Sequence, residues 1–192
     1  FRRWFVGMLA CALQDEQVNH LVIILYSEQG KGKSTWIRRL LPPQWREYYR
    51  NGMVNPDNKD HQLLLSTHLI INMEEFEGAR IGDLAGLKRV ITQESVTERK
   101  AYDMQAYNFI RHASFIASTN NRQCLQDIGG NRRFLPSSII TLDYRTPVNY
   151  EGIYAQAYAL IKEGYRYWYE GEEINELNRH NELHRMKDPV EE

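Results

Sequence analysis

The chain has 192 residues, which is enough for one α/β domain with its own core and too few for two comfortable ones. Hydrophobic residues make up 42% of it, yet the longest apolar run, Leu21 to Tyr26, is only strand-sized, which excludes a membrane-spanning helix. The net charge of −1 excludes a bulk attraction for nucleic acid. Because residues 1–161 carry a positive excess and residues 162–192 a negative one, any such contact must be a local basic patch in the first part.

The cysteines and the beginning of the chain bear on its compartment. Cys11 and Cys124 offer neither a disulfide framework nor a zinc-binding spacing, so we expect a reducing compartment, namely the cytoplasm. No charged region leads into a long apolar stretch, so we expect no signal peptide. The missing initiator Met predicts that a further region precedes Phe1 in a longer polypeptide.

The first third of the chain predicts a strand between two helices. Trp4 to Leu13 has apolar residues at helical spacing, and Leu21 to Tyr26 is a continuous β-prone run, as in a strand buried on both faces of a parallel sheet. A glycine-bearing loop and a short helix follow, and this helix must end near Leu41 because Pro42-Pro43 cannot continue it. Residues 44–59 are expected to be irregular.

The middle of the chain predicts two more buried strands, Leu69–Met73 and Ala113–Ser118, with a helix and a hairpin between them. The hairpin is expected within residues 95–109, where β-prone and charged residues alternate. The helix is expected because four apolar residues share one helical face: Ile81, Leu84, Leu87 and Ile91.

The last part predicts a fourth strand at Phe134 to Leu142, an amphipathic helix at Ile153 to Trp168 and an acidic helical tail. This order is typical of an α/β fold whose central, mostly parallel sheet is flanked by crossover helices. We divide the chain into a core at residues 1–150 and a C-terminal helical segment at residues 151–192 that packs on the core or trails it.

Between the first strand and its helix lies a segment typical of a phosphate-binding loop (P-loop), although a lysine-rich surface turn is the alternative. Backbone N–H groups there cradle phosphate oxygens, while Lys33 would reach the β- and γ-phosphates of ATP and the Ser34 hydroxyl would ligate Mg²⁺. The predicted nucleotide-binding residues are Gln29, Gly30, Lys31, Gly32, Lys33, Ser34 and Thr35. Ser27 stands where the usual pattern opens with glycine, which a serine allows if its φ stays negative.

Two acids, Glu74 and Glu75, follow the second predicted strand. The carboxyl ends of parallel strands meet at one edge of the sheet, so we expect both acids beside the loop. Hydrolysis needs a carboxylate near the metal and an oriented water, and we assign Glu74 to the metal and Glu75 to the attacking water. The alternative is an ordinary solvated acidic strand end.

Two further polar segments complete the candidate catalytic residues. Asn120 ends the third strand, where its amide would hydrogen-bond the γ-phosphate or the attacking water; the alternative is a turn that caps the strand. Arg132 and Arg133 follow a Gly-Gly turn and suit the stabilisation of transition-state charge, often from a neighbouring subunit. The alternative is a structural arginine paired with a carboxylate.

In this order the motifs resemble the virulence-associated protein E family, whose ATPase domain is similar to superfamily 3 helicases. The resemblance covers nearly the whole chain, and its most specific part is Gly130-Asn131-Arg132-Arg133-Phe134, because a general phosphate loop does not come with it. The other matching segments are Arg3-Trp4 with Val6-Gly7, Gln29 to Thr35, Arg38 to Pro42, Glu75-Phe76, Leu87-Lys88 before Thr92, Thr119-Asn120, Tyr154 to Tyr169, and Asp188-Pro189 before Glu191.

The resemblance implies an AAA+-like ring ATPase, with a hexamer favoured, from a phage, plasmid or other mobile element and often joined to a primase-type domain or partner. It also implies a hairpin that faces the pore of the ring, where Arg99 and Lys100 would contact DNA; the alternative is simple solvated charge. The family tends to place an acid where Asn72 stands, so the division of roles between Glu74 and Glu75 stays open.

Two other patterns favour a structural interpretation over a functional one. His180 and His184 lie one helical turn apart, but the acid between them is misplaced for a zinc-protease signature and no third ligand is evident. An aromatic cluster could stack on bases, although packing of the last helix on the sheet is favoured. Its members are Tyr165, Tyr167, Trp168 and Tyr169.

The sequence therefore predicts a Mg-ATP hydrolysing motor domain of a primase-helicase or replication protein that acts on single-stranded DNA. Two alternatives stay open: an ATP-switched DNA-binding initiator without motor activity, and a small-molecule kinase. The acids after the second strand and Asn120 favour water as the phosphate acceptor over a small molecule.

Overall fold

The computed structural model describes residues 1–76, 81–98, 104–125 and 131–186, without the side chains of residues 81–85 and 131. The strands are β1 Val22–Tyr26, β2 Tyr49–Asn51, β3 Ile70–Met73, β4 Ser95–Glu98, β5 Tyr107–Ile110, β6 Ser114–Thr119 and β7 Phe134–Ser138. The helices are α1 Arg2–Leu13, α2 Lys33–Arg38, α3 Lys59–Thr67, α4 Ile81–Thr92, α5 Tyr150–Lys162 and α6 Glu172–Glu182, with 3-10 helices at Pro43–Tyr48 and Asn131–Arg133.

Five strands form one parallel sheet in the order β2–β3–β6–β1–β7, and β4 and β5 form a separate antiparallel pair. The central strand β1 is a continuous apolar run because both of its faces are covered. This arrangement confirms the predicted α/β class, the central parallel sheet and the hairpin between the second and third predicted strands.

The helices cover the two faces of the sheet. Val22 and Ile24 of β1 lie in a core that includes residues of α3 and α4, whereas Ile23 and Leu25 face a second core with α1, α2 and α5. This division follows from the alternation of side chains along a strand. Burying each of these aliphatic side chains contributes roughly 1.5–3 kcal/mol, so the sheet is held from both sides.

The segment predicted to be irregular contains regular structure. Residues 44–59 include most of a 3-10 helix and the edge strand β2, which has only three residues, two of them exposed. A strand this short carries too little pattern to be recognised. The sequence analysis also missed α3, although Asn58 caps it by accepting hydrogen bonds from the backbone N–H groups of Asp60 and His61.

Two predicted elements are shorter than expected. Strand β7 ends at Ser138 rather than Leu142. Helix α5 ends at Lys162 rather than Trp168, because Gly164 adopts a left-handed φ of 74°. The next amide, that of Tyr165, donates to the Leu160 carbonyl at 2.9 Å, which is the bond that closes a glycine-terminated helix.

The C-terminal helices contact the rest of the chain. The ring of Tyr154 in α5 packs edge-on against Phe5 of α1, with centroids 5.2 Å apart, and Asn181 Nδ2 of α6 donates to the Phe134 carbonyl at 3.0 Å. The division of the chain at residue 150 stays a prediction. Among the described helices, none has the length and apolarity that crossing a membrane requires.

Candidate functional site

A polar cavity of about 480 Å³ opens at the edge of the sheet where the parallel strands end. A volume of this size is typical of sites for small ligands. The loops after β1, β3 and β6 bring the side chains together, as expected for the ligand edge of a parallel sheet. The lining residues are Gln29, Gly30, Lys31, Gly32, Lys33, Ser34, Thr35, Glu74, Glu75, Ser118, Thr119, Asn120 and Tyr144.

The connection from β1 to α2, residues 27–32, is called here the glycine loop. Gly30 and Gly32 have φ values of 83° and 77°, which L side chains rarely adopt. A Cβ added to Gly32 would also lie 2.5 Å from the ring of Tyr144. Only glycine fits at this position, and α2 begins directly after it, so the first residues of the helix line the cavity.

Lys33 is buried, with 8% of its surface exposed, and its ammonium group is held at the mouth of the loop. Lys33 Nζ donates to the Ser27 carbonyl and hydroxyl, both at 2.9 Å, to the Glu28 carbonyl at 3.2 Å and to Asn120 Oδ1 at 3.0 Å. These acceptors hold the cation beside the cavity.

Ser27 replaces the glycine of the usual pattern without a left-handed backbone, since Glu75 is the only described non-glycine residue with positive φ. The hydroxyl of Ser27 accepts from Lys33 Nζ and donates to the Glu28 carbonyl at 3.0 Å. The serine therefore adds an acceptor for the lysine and leaves the loop open.

The two acids lie in different local settings. Ser34 Oγ donates to Glu74 Oε1, so a carboxylate from the end of β3 reaches across β6 to the start of α2. Glu75 lines the same cavity from a left-handed backbone conformation, with φ of 53°. Such a conformation costs a non-glycine residue of the order of 1–3 kcal/mol and is concentrated at functional sites.

Asn72, where the resembling family tends to have an acid, is fully buried. Its Nδ2 donates to Asn51 Oδ1 at 2.8 Å, while its Oδ1 has no partner. The hydroxyl of Tyr49 also donates to Asn51 Oδ1, and burial raises the pKa of Tyr49 to about 12. The amide therefore belongs to a neutral hydrogen-bonded cluster, and among the described residues the carboxylates that line the cavity are those of Glu74 and Glu75.

The predicted arginines lie at the opposite edge of the sheet. Arg132 and Arg133 precede β7, whose first residue Phe134 pairs with Val22 at the beginning of β1. They line a separate cavity of about 520 Å³ together with His20 and Trp168. Burial, and then repulsion from Arg132, lowers the pKa of Arg133.

Two sequence predictions concern residues outside the described ranges. Arg99 and Lys100, which follow β4 in the sequence, lie outside the described residues, and so does the Gly129-Gly130 pair before the arginines. The DNA contact predicted for Arg99 and Lys100 stays a prediction.

The histidine pair and the aromatic cluster are used in packing. His180 Nε2 lies 3.1 Å from the Pro136 carbonyl, and His184 Nδ1 lies 3.1 Å from the Arg122 carbonyl. The aromatic residues follow α5 rather than extending it. Tyr167 is buried and donates to Gln17 Oε1, while Arg3 lies over the ring of Tyr169, 4.5 Å from its centroid.

The sequence analysis did not predict three of the lining residues. Ser118 and Thr119 end β6, next to the predicted Asn120, and the third is Tyr144. It lies in the turn after β7, and it reaches the cavity only because β7 pairs with β1. A tyrosine in a turn of polar residues carries no motif, so no local signal identifies it.

The fold and site define an α/β protein with a parallel sheet and a polar cavity at the carboxyl ends of its strands. The chain belongs to the virulence-associated protein E-like domain family, which it matches over residues 1–186. This match confirms the family that the sequence motifs indicated. Comparison with curated proteins gives no significant match.

Solved structures of the NrS-1 C-terminal region have a similar fold. The apo structure of residues 305–718 superimposes with a TM-score of 0.53 at 17% identity, over 92% of this chain and 46% of that one. The A form apo structure of the same region gives a TM-score of 0.51 at 21% identity, over 91% of this chain and 42% of that one. The chain thus spans less than half the length of these structures.

Proposed function

We propose that this chain is a P-loop ATPase of the AAA+ type, similar to superfamily 3 helicases, and the Mg-ATP hydrolysing motor domain of a replication protein that acts on single-stranded DNA. The observation that carries the proposal is the convergence of Lys33, Ser34, Glu74 and Asn120 at one cavity, although 87 residues separate Lys33 from Asn120 along the chain. A cation, a hydroxyl, a carboxylate and an amide are the groups that phosphoryl chemistry requires.

The residues present fit a nucleoside triphosphate with Mg²⁺. Gly30 and Gly32 leave the backbone accessible to phosphate oxygens, and Lys33 can exchange its present acceptors for the β- and γ-phosphates. The Ser34 hydroxyl and the Glu74 carboxylate are oxygen ligands, which Mg²⁺ prefers. When bound, Mg²⁺ supplies positive charge that neutralises the developing charge on the phosphate oxygens.

The remaining polar groups would act on water and on the terminal phosphate. In this proposal Glu75 accepts a proton from the attacking water, because Glu74 is already directed towards Ser34. Asn120, whose Oδ1 accepts from Lys33, has an amide N–H₂ that can donate to the γ-phosphate or orient the water.

The position of the arginines supports a ring. The five residues of β7 separate the amino edge of the sheet from its carboxyl edge by about 13 Å, at roughly 3.3 Å per residue. This distance is longer than one arginine side chain, so neither arginine reaches the cavity of its own subunit. Arg132 and Arg133 therefore suit the cavity of a neighbouring subunit, and a closed homo-oligomer, with a hexamer favoured, would supply that neighbour. A primase-type domain or partner would complete the protein.

The test measures phosphate release against protein concentration, with and without single-stranded DNA. A ring motor predicts a rate that rises more steeply than linearly with concentration and increases when DNA is added. Hydrolysis that ignores DNA, together with ATP-dependent DNA binding, would favour the nucleotide-switched initiator. No ATP binding by folded protein would refute the proposal, and consumption of ATP that requires an added small acceptor would indicate a kinase.

A further inference from the structure

Tyr144 is the aromatic residue among those that line the cavity, all of which lie in the described part of the chain. The other lining residues are charged, small or polar, which suits the phosphates and the metal. No role follows for a tyrosine from phosphoryl chemistry at the Glu74 end. The tyrosine therefore suits a part of the ligand other than its phosphates and metal.

The ring of Tyr144 lies directly against the glycine loop. A Cβ built on Gly32 would be 2.5 Å from one ring carbon and 2.6 Å from the next, so the ring occupies the space that any side chain at this position would need. The guanidinium of Arg145 lies 5.7 Å from the ring centroid. The ring is half-buried, so part of its surface remains open towards the cavity.

The turn that carries Tyr144 is fixed to the helix after the glycine loop. Asp143 Oδ1 accepts from the backbone N–H groups of Arg145 and Thr146, at 2.9 and 3.0 Å. Arg39, at the end of α2, donates from Nη2 to the Thr146 carbonyl at 2.5 Å. The ring is thus placed by a structured turn, which reduces the entropy lost when a ligand packs on it.

The cavity has a direction, which the strand order determines. The order β3–β6–β1–β7 places Glu74 and Glu75 on one side of the glycine loop and Tyr144, after β7, on the other. The groups suited to the γ-phosphate and the metal are at the β3 side. A nucleotide whose terminal phosphate lies there extends its nucleoside towards the β7 side.

From this geometry we propose that Tyr144 is the residue on which the nucleoside of the bound nucleotide packs. This inference rests on the proposed nucleotide-binding function and adds the subsite for the base and sugar. Every nucleobase has a π-face, so stacking on a tyrosine gives affinity with little discrimination among bases. Comparable affinities for ATP and GTP are expected.

The test compares the binding of ATP and of inorganic triphosphate to the wild-type protein, Tyr144→Ala and Tyr144→Phe by calorimetry with Mg²⁺. Loss of a base–aromatic contact should weaken ATP binding by about fivefold to a hundredfold in Tyr144→Ala. Triphosphate binding should stay unchanged, because it has no nucleoside. Tyr144→Phe keeps the ring and should bind ATP within about twofold of the wild type.

The other outcomes separate this inference from the function on which it rests. Equal weakening of ATP and triphosphate in Tyr144→Ala would mean that the ring only shapes the glycine loop, and the inference would be wrong. Unchanged ATP binding in Tyr144→Ala would also refute it. If the wild-type protein binds neither ligand, the proposed function itself fails.

Discussion

Two buried cations, Lys33 and Arg111, lie at opposite edges of the same parallel sheet and have opposite surroundings. Arg111, just before β6, is fully buried, and its acceptors within the described residues are backbone carbonyls, namely those of Asn19, Val90, Ile91, Gln93 and Ala113. Lys33, just after the glycine loop, is held by acceptors that border a cavity. One cation is enclosed by its partners, and the other is beside open space.

The difference shows which cation can serve a ligand. The carbonyls around Arg111 include two from the last turn of α4, where the helix dipole places partial negative charge. Burial lowers the pKa of Arg111 to about 10, so the guanidinium remains charged at neutral pH and needs these acceptors. In the proposed function Lys33 exchanges its acceptors for phosphate oxygens, whereas Arg111 cannot be exposed without disrupting the fold.

The largest effect is expected for Lys33→Ala, which should abolish ATP hydrolysis while the protein stays folded. The substitution removes the point charge beside the β- and γ-phosphates, and water can reach the acceptors that it leaves. Phosphate release and thermal unfolding should be measured on the same samples. Lys59→Ala, at an exposed lysine at the start of α3, is the matched control and should keep wild-type activity. Wild-type rates in Lys33→Ala would remove this lysine from the site.

Glu75→Gln should bind ATP but hydrolyse it roughly a hundredfold more slowly or worse, because the amide cannot accept a proton from water. Glu74→Gln should instead raise the Mg²⁺ concentration needed for activity, since Glu74 is the acid directed to Ser34. Single-turnover rates over a magnesium series distinguish the two variants. If Glu74→Gln is the slower variant at saturating Mg²⁺, the roles assigned to the two acids are reversed.

Arg111→Met should lower the free energy of unfolding by about 3 kcal/mol or more, because several buried carbonyls lose the charged donor that they share. Urea unfolding of Arg111→Met and of Arg89→Met measures this, and the exposed Arg89 should change stability by less than about 0.5 kcal/mol. Equal stabilities of the two variants would show that the enclosed Arg111 does not stabilise the fold.

Much of the sheet could be predicted because its strands are continuous apolar runs. β1, β3 and β6 are recognisable from Leu21–Tyr26, Leu69–Met73 and Ala113–Ser118, and the rule that parallel strands end at one edge then groups the polar residues after them. That rule needs no knowledge of side-chain contacts. It is why Glu74 and Asn120 could be expected beside the glycine loop.

Other features depend on long-range contacts and have no local pattern. In a sequence, Arg111 is indistinguishable from a surface arginine, and only the approach of α4 and the segment before β1 encloses it. Tyr144 reaches the cavity through the pairing of β7 with β1. The end of α5 is different, because Gly164 is a recognisable helix-stop signal in the sequence. The prediction extended the helix past it because the apolar residues continue at helical spacing.

Charge reversal at Arg99 and Lys100 should weaken single-stranded DNA binding by about tenfold at low salt, since both would contact phosphates. Because two phosphates would no longer be neutralised, the slope of log K against log salt should become shallower by about 1.4. Lys162→Glu, at a lysine in α5, is the control and should leave both quantities unchanged. An unchanged slope in the double variant would locate the DNA-binding surface elsewhere.

In a ring, an arginine at the amino edge of one subunit's sheet would act on the cavity at the carboxyl edge of the neighbouring subunit's sheet. Arg133→Ala should be inactive although its own cavity is intact, and Lys33→Ala should be inactive although its arginines are intact. Mixing the two lets an intact cavity face an intact arginine at some interfaces. For random 1:1 assembly into rings, about one interface in four combines both, so mixing should restore at most about a quarter of the wild-type rate.

The mixture also distinguishes an arginine that acts across subunits from one that acts within its own. If Arg133 serves its own cavity, no mixed interface is complete and the rate should stay at the level of the separate variants. Arg132 and Arg133 are adjacent, and both lie at the amino edge of the sheet. The variant in which both arginines are replaced by alanine should therefore be tested beside Arg133→Ala. Full activity of Arg133→Ala, with loss and rescue only in the double variant, would assign the role to Arg132 instead. If mixing with Lys33→Ala restores activity to Arg133→Ala and also to the double variant, an arginine at the amino edge of one subunit acts on the cavity at the carboxyl edge of its neighbour.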